Sequence, residues 1–314
     1  MTLPTASVVA KEHWIRTVAT LVNRSMLYQI SHTTTYSYSQ PVTLQPHLVR
    51  LRPRSNGWQT LKLFSLQVTP EPTSRSEIVD LDGNSLIKLW FPPQKTEQLQ
   101  IQAQSQVETH ELNPFNYLME PWAARLAIDY PASLLMQLQP YLSGQNANYA
   151  TSVDPVSLQL AQEINHEVGG DTANFLATLN QRIYKSCKYL LRETGKPLSP
   201  GITWSEKLGS CRDLTVLFIE VCRSIGLAAR FVSGYQEGDP DQDDRHLHAW
   251  AEVYLPGAGW RGYDPTHGLA VSDRHIALVA SAVSHYAAPI SGSFNRVGSV
   301  QSAIDYQIQI QGLS

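Results

Sequence analysis

The period of the hydrophobic pattern changes twice along this chain, and those changes limit its fold more than any other feature. From Leu27 the period is two: Tyr28, Ile30, His32, Thr34, Tyr36 and Tyr38 alternate with polar neighbours, as a half-buried strand requires. Leu48 to Arg52, Leu61 to Val68, Ile78 to Leu81, Ser85 to Phe91 and Leu99 to Val107 read as further short strands. Pro41, Pro46 and Pro53 punctuate them, and Asp82-Gly83-Asn84 is a hairpin turn. Short strands at such close intervals predict an antiparallel β-sandwich.

Near Asn113-Pro114 the period becomes helical. Leu134 to Leu142, Pro155 to Glu167 and Thr172 to Tyr189 carry apolar residues at helix spacing. Asp154-Pro155 supplies a cap and a first-turn proline, Gly169-Gly170 stops that helix, and Asp171 caps the next. Gly195 to Gly201 reads as a loop, and a helix follows from Cys211 to about Ile225, closed by Gly226. Period two then returns at Ala229 to Tyr235, His246 to Leu255 and Trp260 to Tyr263, and near the end at Asp305 to Gln311. The expected class is α+β in four segments. Residues 1–25 form an extension, with Trp14, Ile15, Val18, Leu21 and Val22 on one face of a short amphipathic helix. Residues 26–110 form the β domain, 111–270 a mixed domain, and 271–314 a tail with one returning strand. Met26, directly ahead of the first strand, offers an alternative start.

Composition narrows the function. The 42% hydrophobic and 16% charged content fits a globular protein with a substantial core. A net charge of −3 without a Lys/Arg cluster argues against nucleic acid as a partner. Three cysteines, Cys187, Cys211 and Cys222, are too few and too odd for a disulfide framework and leave room for a functional thiol in a reducing compartment. No stretch reaches the roughly 20 apolar residues of a membrane span. Lys11, Glu12, His13 and Arg16 break up any secretory leader, so a cytoplasmic location without membrane association is expected.

Chemistry concentrates in the mixed domain. Gly209-Ser210-Cys211 places a cysteine where a turn becomes a helix, and the unpaired N–H groups and dipole of a helix start favour negative charge on its sulfur. His248 lies on an expected strand, and 16 residues on, beyond the Gly257-Ala258-Gly259 turn, Asp264 closes the next one ahead of Pro265. A thiolate, an imidazole that pairs with it and protonates a leaving amine, and a carboxylate that orients the imidazole are what acyl transfer needs. Cys222 and Cys187 read as structural.

Four blocks carry a resemblance. They are Gly209-Ser210-Cys211-Arg212-Asp213, Gly226 to Tyr235, His248-Ala249-Trp250-Ala251-Glu252-Val253-Tyr254, and Trp260-Arg261-Gly262-Tyr263-Asp264-Pro265-Thr266. In this order and spacing they resemble the core of the transglutaminase-like superfamily. Tyr28 to Thr34 and Leu48 to Arg54 are similar to the N-terminal β region of its bacterial branch, which includes proposed cysteine proteases. The resemblance implies a papain-like core with Cys211 as nucleophile, His248 as acid and base, and Asp264 as orienter. It implies a peptide or protein amide substrate and neither cofactor nor metal. The Cys211 N–H is the first oxyanion donor, and Trp204 or, second, Tyr189 is the side-chain candidate. Val283 to Gly292 departs from the bacterial pattern: Ser284 and His285 stand where an Arg-Asp pair is usual ahead of the tyrosine, a change expected to affect the cleft mouth.

The expected reaction is hydrolysis of an amide through a thioester. Amine acceptance, giving protein cross-linking, is the alternative. A metalloenzyme is a third reading, with His246 and His248 two apart on one strand face and Asp264, His267 or Glu252 as third ligand. A non-catalytic binding module is a fourth. The acidic run Asp239 to Asp244 reads as a solvated loop. Asp213 and Arg212 are expected to pair with neighbours at the helix start.

Overall fold

The computed structural model describes residues 25–110, 113–143, 154–192, 195–238, 246–295 and 299–313. The expected helix at residues 14–22 and the acidic run at 239–244 lie outside them. Strands β1 (Met26–Leu44), β2 (His47–Val49), β3 (Gln59–Thr69), β4 (Ser74–Val79), β5 (Ser85–Trp90) and β6 (Lys95–Thr109) come first. Helices α1 (Ala132–Leu142), α2 (Pro155–Glu167) and α3 (Thr172–Ser186) follow, then β7 (Lys188–Tyr189), α4 (Pro200–Glu206), β8 (Leu208–Gly209) and α5 (Cys211–Ser224). The chain ends in β9 (Ala229–Gln236), β10 (His248–Leu255), β11 (Gly259–Asp264), β12 (Leu269–Ala270), β13 (His275–Ser281), β14 (Ile290–Ser291), β15 (Phe294–Asn295) and β16 (Ser302–Leu313). The fold is α+β.

The N-terminal half holds two antiparallel sheets. In one, β1 lies between β6 and β16 and β3 extends the far side; in the other the order is β14-β2-β5-β4. Alternation decides the faces: Tyr28, Ile30, His32 and Thr34 are buried while their neighbours are half-exposed, and Leu99, Ile101, Ala103 and Val107 repeat this on β6. The expected strand Asp305 to Gln311 is β16, paired along β1 from Leu27↔Leu313 to Tyr38↔Ser302. Both sheets therefore take strands from the chain's end.

The second half is a five-stranded sheet ordered β12-β11-β10-β9-β13, with α5 packed on β10 and β9. On β10, Ala249, Ala251, Val253 and Leu255 are buried with Leu214, Leu217, Phe218 and Val221 of α5 in one apolar core. The caps at α2 and α3 are as expected: Asp154 accepts from Ser157 N–H and Asp171 from Asn174 N–H.

Several elements differ from the sequence reading: β2 ends at Val49 and not Arg52, β4 is Ser74–Val79 where Ile78 to Leu81 was expected, and β10 begins at His248 and not His246. α3 ends at Ser186, because Lys188 and Tyr189 leave the helix to pair with Leu208 and Gly209. The loop expected at residues 195–201 runs into α4, a seven-residue helix capped by Ser199. β13 was not expected; its seven residues are buried throughout, so the run has no polar face to mark its period.

Candidate active site

Helix α5 is fixed at its start by one carboxylate. Asp213 Oδ2 accepts the Ser210 N–H (2.8 Å) and hydroxyl (2.7 Å), and Oδ1 accepts the Leu198 N–H at 2.7 Å and the Arg192 guanidinium. Burial alone would raise its pKa, but these donors hold the carboxyl below the usual range. Arg212 reaches back to the carbonyls of Gly195 (2.9 Å) and Arg192 (2.7 Å). Gly209 is needed just ahead of the helix, since a Cβ there would meet Asp213 Cβ at 2.9 Å and Thr203 Cγ2 at 3.2 Å. The turn is thus held rigidly, and Cys211 is set as the first helical residue, 8% exposed. Its N–H has no intrahelical carbonyl to bond.

His248 opens β10, opposite Gly234 of β9, and its ring stands between Cys211 and Asp264. Its Nε2 lies 2.8 Å from Asp264 Oδ2. A carboxylate can only accept, so Nε2 carries the hydrogen, leaving Nδ1 for the Cys211 side chain, which is also hydrogen-bonded to this imidazole. Burial works against a charged ring here, yet the Asp264 charge and hydrogen bond, with a contribution from Cys211, push the His248 pKa up to about 10. Asp264 closes β11 and is fully buried; against the effect of burial, its histidine partners hold the carboxyl well below the usual range.

Two histidines beyond the expected set share that carboxylate. His267 Nδ1 is 2.9 Å and His275 Nε2 3.2 Å from Oδ2, while Thr266 N–H donates to Oδ1 at 2.9 Å. His267 is the residue weighed above as a metal ligand; His275 carried no signal, being a single polar residue ahead of the apolar run Ile276 to Ala280. The His246/His248 ligand pair does not form. Residue 246 precedes the strand, so it does not share the His248 face, and His246 Nδ1 bonds the Tyr306 hydroxyl at 2.6 Å. Glu252 pairs with Arg230 at 2.7 Å. His248, Asp264 and His275 do place three ligand atoms within 4.8 Å of one another. In this group two imidazole donors share one carboxylate acceptor, His248 Nδ1 is taken by the Cys211 side chain, and His275 Nδ1 is buried without a partner among the described residues.

Of the oxyanion candidates, Tyr189 is 45% exposed on β7, next to the strand that leads into Cys211. Burial and the nearby Cys211 push its hydroxyl pKa up to about 12. Trp204 is half-buried on α4, with Lys207 Nζ 2.8 Å above its ring. The Ser284-His285 stretch forms a short 3-10 turn, Ser284–Ala287, against β9, where the Ser233 hydroxyl bonds Ala287 O at 2.7 Å.

Residues 28–108 match the bacterial transglutaminase-like N-terminal region, and residues 158–265, which contain Cys211, His248 and Asp264, match the transglutaminase-like superfamily. The chain belongs to the transglutaminase-like superfamily. An uncharacterized Mycobacterium tuberculosis protein is 30% identical over 270 residues, covering 80% of this chain and 82% of that one. A protein-glutamine gamma-glutamyltransferase of Pseudomonas aeruginosa is 26% identical over 142 residues, 42% of this chain and 21% of that enzyme. Among solved structures, a proposed cysteine protease from Cytophaga hutchinsonii superposes with a TM-score of 0.68 at 21% identity, covering 93% of this chain and 92% of that one. That likeness shows the shared fold across both halves of the chain.

Proposed function

We propose that this protein is a cysteine-nucleophile amide hydrolase with Cys211, His248 and Asp264 as its triad. The observation that carries the reading is the His248 ring, which bonds a buried carboxylate through Nε2 and meets a helix-start cysteine on its other side.

The Cys211 thiolate attacks the substrate carbonyl carbon, and the oxygen, now negative, takes the Cys211 N–H as donor with the Tyr189 hydroxyl as second. Protonated His248 gives its Nδ1 hydrogen to the departing amine as the C–N bond breaks, leaving a thioester on Sγ. Neutral His248 then takes a proton from water, whose oxygen attacks the thioester; the carboxylic acid leaves, and thiolate and imidazolium are restored. Asp264 stays ionised throughout, keeping Nε2 protonated and the ring oriented.

Water as acceptor is favoured by the charge around the thiol. Lys188, Lys207 and Arg212 lie on the segments that flank the start of α5, where the charge of Arg192 is met by Asp213, a poor setting for an incoming lysine ammonium. The Pseudomonas relative supports amine acceptance as the second reading. Thiol-directed peptide probes test the first claim: covalent capture by the native protein and none by Cys211→Ala is expected, and equal capture by both would refute it. Incubation of a glutamine peptide with a labelled primary amine separates the acceptors. Free acid as product is expected, and stable incorporation of the label would replace hydrolysis with transfer.

A further inference from the structure

The mechanism uses one of the three histidines on Asp264, and His275 has no role in it. His275 is 6% exposed and is the first residue of β13, an edge strand whose inner side pairs with β9. Its outer side is met by carboxamides of the N-terminal β domain instead of a strand. Gln59 donates from Nε2 to Ala277 O (2.9 Å) and accepts Ala277 N–H at Oε1 (2.7 Å). Asn84 repeats this at Ala280, with 2.7 Å from Nδ2 to O and 2.9 Å from N to Oδ1. Each amide copies the donor and acceptor that a neighbouring strand would present. The Arg54 N–H adds a second bond to Ala277 O at 3.0 Å.

β13 is therefore clamped on both sides, and the side chain at its first position crosses the sheet to Asp264. Gly234 of β9 pairs with His248 on one side and Ala277 on the other, and a Cβ there would meet the Trp250 ring. The Trp250 ring stands edge-on to the His275 ring at 5.3 Å, and the two line a small cavity with Gln59 and Ala277. On the other flank His267 has a side chain 42% exposed, so His275 is the buried one of the two additional donors, at 3.2 Å from Oδ2 against 2.9 Å for His267. Its imidazole, kept mainly neutral by burial, donates to Oδ2 without bringing a competing charge.

We propose that His275 is a positioning residue for the triad, and that Gln59 makes the N-terminal β domain part of what holds Asp264 in place. This rests on the reading of Cys211, His248 and Asp264 as a triad. Asp264 Oδ2 is the atom that orients His248, so a fixed donor on it fixes the direction of the imidazole and, through it, the ion pair with Cys211. The β domain thereby acts on the chemistry from behind the sheet, not from the substrate side.

The test is the rate constant for alkylation of Cys211 by iodoacetamide at pH 6 in the full chain, which reads the ion pair without a substrate. His275→Met keeps the bulk and loses the donor, and slows the reaction about tenfold, the scale of one hydrogen bond to a charged group. His275→Gln, whose amide nitrogen falls close to the Nε2 position, stays within about threefold of the native rate. Gln59→Leu leaves the Ala277 N–H and carbonyl without their amide partner and slows it about threefold; combined with His275→Met it adds nothing, since both act through one contact. Should His275→Met fail to fold, His275→Asn, too short to reach Asp264, replaces it in the comparison with His275→Gln. A native rate in His275→Met, a His275→Gln as slow as it, or losses that multiply in the double variant would overturn the assignment. Equal alkylation of Cys187, Cys211 and Cys222 in the native chain would instead remove the triad beneath it.

Discussion

Asp264→Asn removes one charge and almost no volume, and its consequence follows from the His248 environment. In the native site the imidazole pKa rises from 6.5 to about 10, although burial alone would lower it. That rise corresponds to ~5 kcal/mol at roughly 1.4 kcal/mol per pH unit. Relaxation in real interiors brings the measured cost of breaking such a buried pair to about 3–5 kcal/mol. With Asn at 264 only the contribution of Cys211 still opposes burial, so the imidazole pKa falls well below its native value and the charged ring beside Cys211 is lost. Alkylation of Cys211 by iodoacetamide at pH 6 is then expected to slow by at least a hundredfold, and nitrogen-15 NMR should show His248 titrating well below its native value. The stability difference between the two proteins carries its own sign. A raised imidazole pKa contributes stability that is fully present below pH 6.5 and is lost as pH rises through about 10. Denaturant midpoints of the native protein and Asp264→Asn should therefore differ most near pH 6 and converge above pH 10. A His248 titration unmoved by the substitution, or alkylation within threefold of native, would refute the reasoning.

Three further predictions concern the frame. Asp213→Ala strands Ser210 N–H, Leu198 N–H and the Arg192 guanidinium together, and should cost about 3–5 kcal/mol in urea unfolding. Because the Asp213 carboxyl is held below its ordinary range, that difference is present above about pH 4 and shrinks as pH falls through the lowered folded value. Gly234→Ala places a Cβ against the Ile276 carbonyl and the Trp250 ring, so a loss of at least about 2 kcal/mol is expected, read as a lowered thermal midpoint. Tyr189→Phe should slow acylation by a peptide probe about tenfold, while Trp204→Phe leaves it within about twofold, measured by the rate of probe capture.

The sequence reading was strongest where the chain writes its structure locally. Alternation over Tyr28 to Tyr38 marks β1, and Asp154-Pro155 and Asp171 mark two helix starts, because each signal lies within a few residues of what it specifies. Cys211, His248 and Asp264 were legible because each sits in a distinctive local context. β13 was not, since a strand buried on both faces has lost the period that identifies strands. His275 stayed hidden for the same reason: its partner is on β11, with β9 and β10 between, and only the sheet order brings them together. His246 failed in the opposite way. A spacing of two puts side chains on one face only where both residues are in the strand, and β10 begins at His248. The amides of Gln59 and Asn84 look like ordinary polar residues in sequence, and it is the free edge of β13 that gives them their task.

The central claim is that one thiol of three is activated by its surroundings. All three cysteines are buried, and burial raises the thiol pKa values of Cys187 and Cys222, whereas Cys211 starts a helix beside a charged imidazole. Brief treatment of the folded protein with iodoacetamide at pH 6, followed by peptide mass spectrometry, compares the three directly. The account predicts carbamidomethylation at Cys211 at least a hundredfold ahead of the other two. Labelling of Cys211 no faster than Cys187 would contradict it.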